Sequence, residues 1–161
     1  MRMQPGENFV QLMIDLEGLR LNPYIDSGGV CSIGVGSTHY EDGKPVTMRD
    51  VKITYERAVH MLMTEVEMDV NMINAVIKSK INQNQFDSLI AFSYNIGRNG
   101  FKSSTVLKRV NHNPNDPLIK DAFLMWTKDQ DPKTGKLVTV KGLINRRNKE
   151  LTVYFKPIET T

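Results

Sequence analysis

Residues 17–38 read E-G-L-R-L-N-P-Y-I-D-S-G-G-V-C-S-I-G-V-G-S-T, and the reading of this stretch decides the fold. Two carboxylates, Glu17 and Asp26, frame its first half. Gly28-Gly29, Gly34 and Gly36 punctuate the second half, with the hydroxyl side chains Ser32, Ser37 and Thr38 between and after them. Pro23 and the spaced glycines exclude a continuous helix. Tyr24, Ile25, Val30, Ile33 and Val35 suit a small sheet. The stretch therefore predicts short strands joined by tight turns, with Asp26 at a hairpin end and open to solvent.

The residues just upstream have a different period. In 8–16, NFVQLMIDL, the apolar Phe9, Leu12, Met13 and Leu16 recur at i, i+3, i+4 and i+7, one face of a helix. Gly18 is the stop signal. Glu17 then lies at the helix C-terminus, where the negative end of the dipole disfavours an ionised carboxyl. Partial burial would act in the same direction. A carboxyl that keeps its proton is a candidate general acid, and Asp26, on a turn, is a candidate base. A solvated helix end and an ordinary turn aspartate are the plainer readings of the same two residues.

Composition bounds the class. The chain has 161 residues, 40% hydrophobic and 24% charged, as in an ordinary globular protein of one domain or two small lobes. No apolar run approaches the roughly 20 residues of a membrane span. The N-terminal MRMQPGENFVQ carries no apolar signal core, so no secretory signal is expected. The net charge of +3 and pI near 9.0 fit an anionic polymer, either cell wall or nucleic acid. The basic residues are dispersed among acids, however, which argues against a nucleic-acid platform. His39, His60 and His112 are widely spaced, so no metal is expected. Cys31 is the single cysteine, and its strand context reads as a small apolar filler rather than a nucleophile.

The remainder is mostly helical by pattern. Residues 1–7 read as a loose arm, Asp42-Gly43 as a turn, and Thr47–Asp50 as one helical turn. A long helix is expected over about 54–78, capped by Thr54 and spanning about 37 Å at 1.5 Å per residue. Residues 81–97 form a second helix, with Asn82 and Gln85 as a capping box, Gly97 as its stop, and a broad apolar face that makes it central. Ser103 or Ser104 caps a helix through Val110. Asp116-Pro117 starts another that ends near Trp126, the single tryptophan, which reads as core. Residues 127–139 read as a polar loop, and a last helix begins near Gly142.

Three segments together resemble the phage-type lysozymes, glycoside hydrolase family 24. The first is E-G-L-R-L…Y-I-D-S-G-G-V-C-S-I-G-V-G-S-T. The family pattern there is Glu, Asp nine residues on, Thr six residues further, then I-G-x-G-H-T. Glu17 and Asp26 fall at the first two positions. Ser32 stands at the threonine and Ser37 at the histidine. The second segment is NQFDSLIAFSYNIGRNGFKSSTVLKRVN. The third is G-L-x-N-R-R-x-x-E, which is similar to the family's C-terminal helix. In that helix an arginine serves the catalytic glutamate across the lobe junction. Arg146 is the better candidate for it and Arg147 the second. A solvated basic face pairing with Glu150 is the other reading of both.

The resemblance implies an α+β, mainly helical lysozyme-like fold, with a small β-hairpin lobe packed beside a helical lobe and a long helix linking them. It implies one catalytic domain over 1–161, with the β-containing lobe at about 15–60 and the helical lobe at about 75–161 together with the N-terminal helix. It implies a monomeric endolysin that cleaves the β-1,4 bond between N-acetylmuramic acid and N-acetylglucosamine in bacterial peptidoglycan. No cofactor, no nucleic-acid partner and no stable membrane insertion go with that activity. Glu17, Asp26 and Ser32 are its expected catalytic residues, and Arg146 and Ser37 the substrate-binding or supporting ones. Accumulation in the host cytoplasm and holin-dependent release to the wall are further implications. A lytic transglycosylase on the same bond, or a wall-binding protein without catalysis, are the competing readings.

Overall fold

A computed structural model describes residues 2–159. The chain divides into two compact units, one formed by residues 10–68 and the other by 1–9 with 69–161. Seven helices and two antiparallel hairpins follow in chain order among the described residues. The fold is thus mostly helical with small β elements, as the sequence leads one to expect. The long α2 (Tyr55–Val76) contributes its first fourteen residues, 55–68, to one unit and the remainder to the other. Thr54 caps it, its hydroxyl accepting from Arg57 N at 3.1 Å.

In the unit 10–68, α1 (Glu7–Glu17) ends at Gly18, whose N–H donates to Ile14 O at 2.8 Å with φ at 78°. That left-handed conformation is open to glycine at little cost, so the chain turns out of the helix immediately after Glu17. Strands β1 (Arg20–Ile25) and β2 (Cys31–Gly34) follow and pair antiparallel. Their register shifts between Arg20 and Tyr24, where Pro23 has no N–H to give the ladder. Ile33, Val46, Ile53, Ala58 and Met61 form the core beneath, with Leu19, Leu21, Cys31 and Tyr40 packed against it. Cys31 is a filler in that core, as its strand context implies. The Asp42-Gly43 turn forms, with Gly43 N donating to Tyr40 O at 2.9 Å. Thr47–Asp50 closes as a single backbone turn, Asp50 N donating to Thr47 O at 3.1 Å, and does not continue into a helix. The Asp50 carboxylate accepts in return from the Thr47 N–H and hydroxyl, at 2.8 and 2.7 Å, so side chain and backbone close the same turn. The sequence reading assigned the N-terminal helix to the helical lobe, whereas residues 10–17 of α1 fall with the hairpin.

In the other unit, α3 (Gln83–Ile96) is the centre. Its residues 84–93 are all buried, so it is enclosed on every side rather than on one face. The capping box is present: Asn82 Oδ1 accepts from Gln85 N at 2.8 Å and Gln85 Oε1 from Asn82 N at 2.9 Å. Around α3 lie α4 (Arg98–Lys102), α5 (Thr105–His112), α6 (Ile119–Leu124) and α7 (Lys141–Tyr154). Phe92 of α3 stacks on Phe123 with centroids 4.4 Å apart and meets Phe101 and Trp126 edge-on at 6.2 and 6.4 Å. Three details differ from expectation. The arm before α1 is tied down, by paired hydrogen bonds between Met3 and Asn74 and by Gly6 N donating to Asp87. Asp116 accepts from Leu118 N at 2.8 Å, and the resulting turn delays α6 to Ile119. Residues 128–139, read as a loop, carry a short exposed hairpin, β3 (Lys128–Gln130) and β4 (Leu137–Thr139), with Asp131 and Gly135 in its turn.

Buried charge is concentrated in this second unit. Arg147 and Glu150 of α7 are both buried and paired, and Arg147 also donates to Trp126 O at 3.0 Å and to Asn95 while lying over the Phe92 ring. Asp69 is 1% exposed. Its Oδ1 accepts from Ser93 Oγ at 2.7 Å, and Arg98 Nη1 lies 3.7 Å from Oδ2, which accepts no hydrogen bond among the described residues. Desolvation pushes the Asp69 carboxyl above its usual 3.8, outweighing Ser93 and Arg98. With the native carboxyl the weaker acid, the folded protein binds the proton more readily than the unfolded chain. Stability from this group therefore rises as pH falls through the raised value towards 3.8, and is absent above it. Asp69→Asn removes the buried charge and keeps an acceptor for Ser93. We expect its melting temperature at pH 7 to equal or exceed the parent's by a few degrees, and its gain on acidification to be smaller. Thermal melts from pH 7 to pH 4 check this.

Candidate active site

The site residues expected from sequence within 10–68 are Glu17, Asp26, Ser32 and Ser37, and one hairpin carries three of them. Glu17 is the last residue of α1. Gly36 lies against it, so that a β-carbon at position 36 would stand 3.3 Å from Glu17 Cβ and 3.4 Å from its Oε2. Gly36 has φ at 69°, so its backbone as well as this contact requires glycine. The turn that presents Gly36 is closed by a reciprocal pair, Ile33 N to Ser37 O at 2.8 Å and Ser37 N to Ile33 O at 2.9 Å. Glu17 is therefore seated at the base of the hairpin. It is exposed, which departs from the partial burial expected from sequence: the chain leaves the helix at once at Gly18, and a glycine rather than a bulky side chain faces the carboxyl.

Asp26 occupies the tip, immediately after β1. Its two oxygens have different work. Oδ1 accepts from Gly28 N and Val30 N, both at 2.9 Å, which closes the turn and fixes the side-chain torsions. The backbone repeats the closure, Asp26 N donating to Val30 O at 2.9 Å and Gly29 N to Asp26 O at 3.0 Å. Among the described residues, Oδ2 accepts only a long bond from Ser32 Oγ, at 3.3 Å. One oxygen is thus structural, and the other keeps acceptor capacity for a ligand. Ser32 sits on β2 and is 1% exposed; its one proton is shared between Asp26 Oδ2 and Val30 O, the latter at 3.4 Å.

Ser37 is fully buried, and its hydroxyl has no hydrogen-bond partner among the described residues. Arg146 belongs to the other unit. Its Nε lies 3.4 Å from Glu150 Oε2 and its Nη2 donates to Ala91 O at 3.5 Å. Arg147, the second candidate, is committed to its buried partners; both arginines pair with Glu150, as the alternative reading expects, but neither stands on a solvated face.

One neighbour of the carboxylates was missed. Tyr24 pairs across the ladder with Ser32, and Arg20 lies over its ring, 4.6 Å from the centroid. Burial raises its phenol above the usual 10.0, Arg20 opposes this, Asp26 and Glu17 add to the rise, and Ser32 opposes it. The phenol thus lies within electrostatic reach of both carboxylates. The signal was available in the spacing, since a residue two before Asp26 on a strand shares its face.

Comparisons with known proteins place this arrangement in context. Residues 14–150 match the family model described as Phage lysozyme. The chain is 34% identical over 153 residues to the endolysin of Salmonella phage P22, covering 94% of this chain and 98% of that protein. A solved endolysin from Escherichia coli O157:H7 phage FAHEc1 superposes with a TM-score of 0.86 at 37% identity, covering 100% of this chain and 99% of the other. The muramidase domain of SpmX from Asticaccaulis excentricus gives a TM-score of 0.77 at 29% identity, over 97% and 100% of the two chains.

The buried hydroxyl at position 37 generates a stability prediction. An unpaired buried polar group costs about 1–3 kcal/mol, and alanine removes it with little change of volume. We expect Ser37→Ala to be as stable as the parent or about 1 kcal/mol more so, measured by urea unfolding at constant m-value.

Proposed function

The chain belongs to the phage lysozyme family, and we propose that it acts on bacterial peptidoglycan with Glu17 and Asp26 as an acid–base pair. It is a peptidoglycan hydrolase, a muramidase of the endolysin type, cleaving the β-1,4 bond between N-acetylmuramic acid and N-acetylglucosamine. The observation that carries the assignment of residues is the hairpin: its base seats Glu17 against Gly36, and its tip holds Asp26 by one oxygen while leaving the other available.

The steps follow from these positions. Glu17 gives its proton to the glycosidic oxygen as the bond to the anomeric carbon breaks. Positive charge develops on the sugar ring, and a water attacks from the opposite face. Asp26 Oδ2 accepts that water's proton, and Ser32 orients the water. The two carboxyls end with exchanged protonation and reset through solvent. This is the inverting course, which needs carboxyls spaced widely enough for a water. Ser37 supports the acid through the turn that presents Gly36. Arg146 is assigned the supporting cation in preference to Arg147, whose guanidinium is built into the buried pair with Glu150.

We also propose that the protein works as a monomer, waits in the host cytoplasm, and reaches the wall with the help of a holin. No helix among the described residues is long and apolar enough to cross a membrane. Fractionation of host cells with and without the holin tests it: activity at the wall in cells lacking the holin overturns it.

Glu17→Gln should lower wall hydrolysis by at least about a thousandfold with the fold intact, since the leaving oxygen then receives no proton. Asp26→Asn should cost about a hundredfold or more. Mass spectrometry of the muropeptides should show reducing ends. Anhydro ends, with Asp26→Asn fully active, would identify a transglycosylase instead. Ser32→Thr should be as active as the parent or more so, because its methyl restricts χ1; a large loss contradicts the role given to Ser32.

A further inference from the structure

The Ser32 hydroxyl is poorly held for a group that has to orient a water. Its two acceptors are both long, at 3.3 and 3.4 Å, and serine lacks the β-methyl that would restrict its torsion. Something else has to order it. Tyr24 stands opposite Ser32 in the ladder, and directly opposed residues of an antiparallel pair put their side chains on the same face. The Arg20 guanidinium lies over the Tyr24 ring, 4.6 Å from its centroid, a cation–π contact that favours this position of the ring.

We propose that Tyr24 is a positioning residue of the site: its ring lies under Arg20 and opposite Ser32, and its phenolic hydroxyl orders the Ser32–Asp26 pair and hence the water that the pair holds. This rests on the acid–base reading of Glu17 and Asp26. Burial and the two carboxylate charges keep the phenol protonated through the neutral range, so it adds no charge and stays a donor. A phenol proton given to a lone pair of Ser32 Oγ polarises the serine O–H, which is then a better donor to Asp26 Oδ2. The tyrosine supplies the order that a methyl group at position 32 would supply sterically. The two devices are therefore partly interchangeable, and this sets them apart from a general packing role for the ring.

The test is a double-mutant cycle on folded protein, with soluble glycan strands of uncross-linked peptidoglycan as substrate. Tyr24→Phe keeps the ring and the Arg20 stacking and removes only the hydroxyl. We expect kcat to fall about tenfold, with KM within about twofold and the melting temperature within a few degrees of the parent. In a Ser32→Thr background the same change should cost about threefold or less, since the methyl already restrains the hydroxyl. Rates are referred to the folded fraction from near-ultraviolet circular dichroism, so a partial folding defect is not counted as lost activity. Parent-like kcat in Tyr24→Phe, an effect confined to KM, or a loss of the same size in both backgrounds each overturns the proposal. Glu17→Gln and Asp26→Asn are measured alongside. If they retain activity, the acid–base reading fails; if they are inactive while Tyr24→Phe is parent-like, only the role of Tyr24 fails.

Discussion

The hairpin depends on the space left empty at Gly36. A β-carbon there would press on Glu17 at 3.3 Å, and the backbone at φ 69° resists any side chain. The helix end and the sheet turn can approach each other only because neither steric demand is made. Gly18 acts on the other side of the same carboxylate: it stops α1 one residue after Glu17 and sends the chain directly into β1. Two glycines thus fix where the glutamate sits without touching its charge. Asp26 is placed by a different means. Its position is set by four hydrogen bonds across residues 26–30, two of them spent by its own Oδ1. Steric permission holds Glu17, and hydrogen bonding holds Asp26.

The helical unit carries its strain in buried charge. Arg147, Glu150, Asp69 and Asp87 are all buried, and burial pushes all three carboxyls up. Asp87 is compensated by the N–H groups of Gly6 and Phe9 and by the Gln83 amide. It converts the start of the chain from an arm into part of this core. Such groups contribute little net stability compared with apolar residues of the same volume. They do specify arrangement, because a misplaced partner leaves a charge alone. Arg147 draws α7, the Trp126 carbonyl and Asn95 of α3 onto one guanidinium.

Legibility in the sequence followed the range of the interaction. Caps and stops are local, so Thr54, the Asn82–Gln85 box, Ser104 and Gly18 could be read from spacing. The helix-end position of Glu17 and the hairpin-end position of Asp26 could be read as well, because both are local, whereas the exposure of Glu17 depends on Gly36 across the turn and could not. The arm was misread because its partners, Asn74 and Asp87, lie about seventy or more residues away, and nothing local marks them. The 128–139 hairpin was missed because all six of its strand residues are exposed, so they carry no apolar alternation. Tyr24 was read only as a strand former. Its significance comes from the face it shares with Asp26 and from the residue it opposes, which its strand propensity alone does not express.

The two serines at positions where the family carries threonine and histidine show what this hairpin can afford to change. Ser37 is held by its backbone, paired in both directions with Ile33, and its side chain makes no hydrogen bond among the described residues. The turn therefore survives whatever small residue stands there, and Gly36 stays against Glu17. Position 32 differs in kind. Its backbone is fixed by the ladder, but the role proposed for it depends on the direction of a hydroxyl, which the ladder does not determine. A substitution at 37 spends packing, whereas a substitution at 32 spends torsional order. Only the second kind of loss requires a neighbour to restore it, and the neighbour across the ladder is Tyr24.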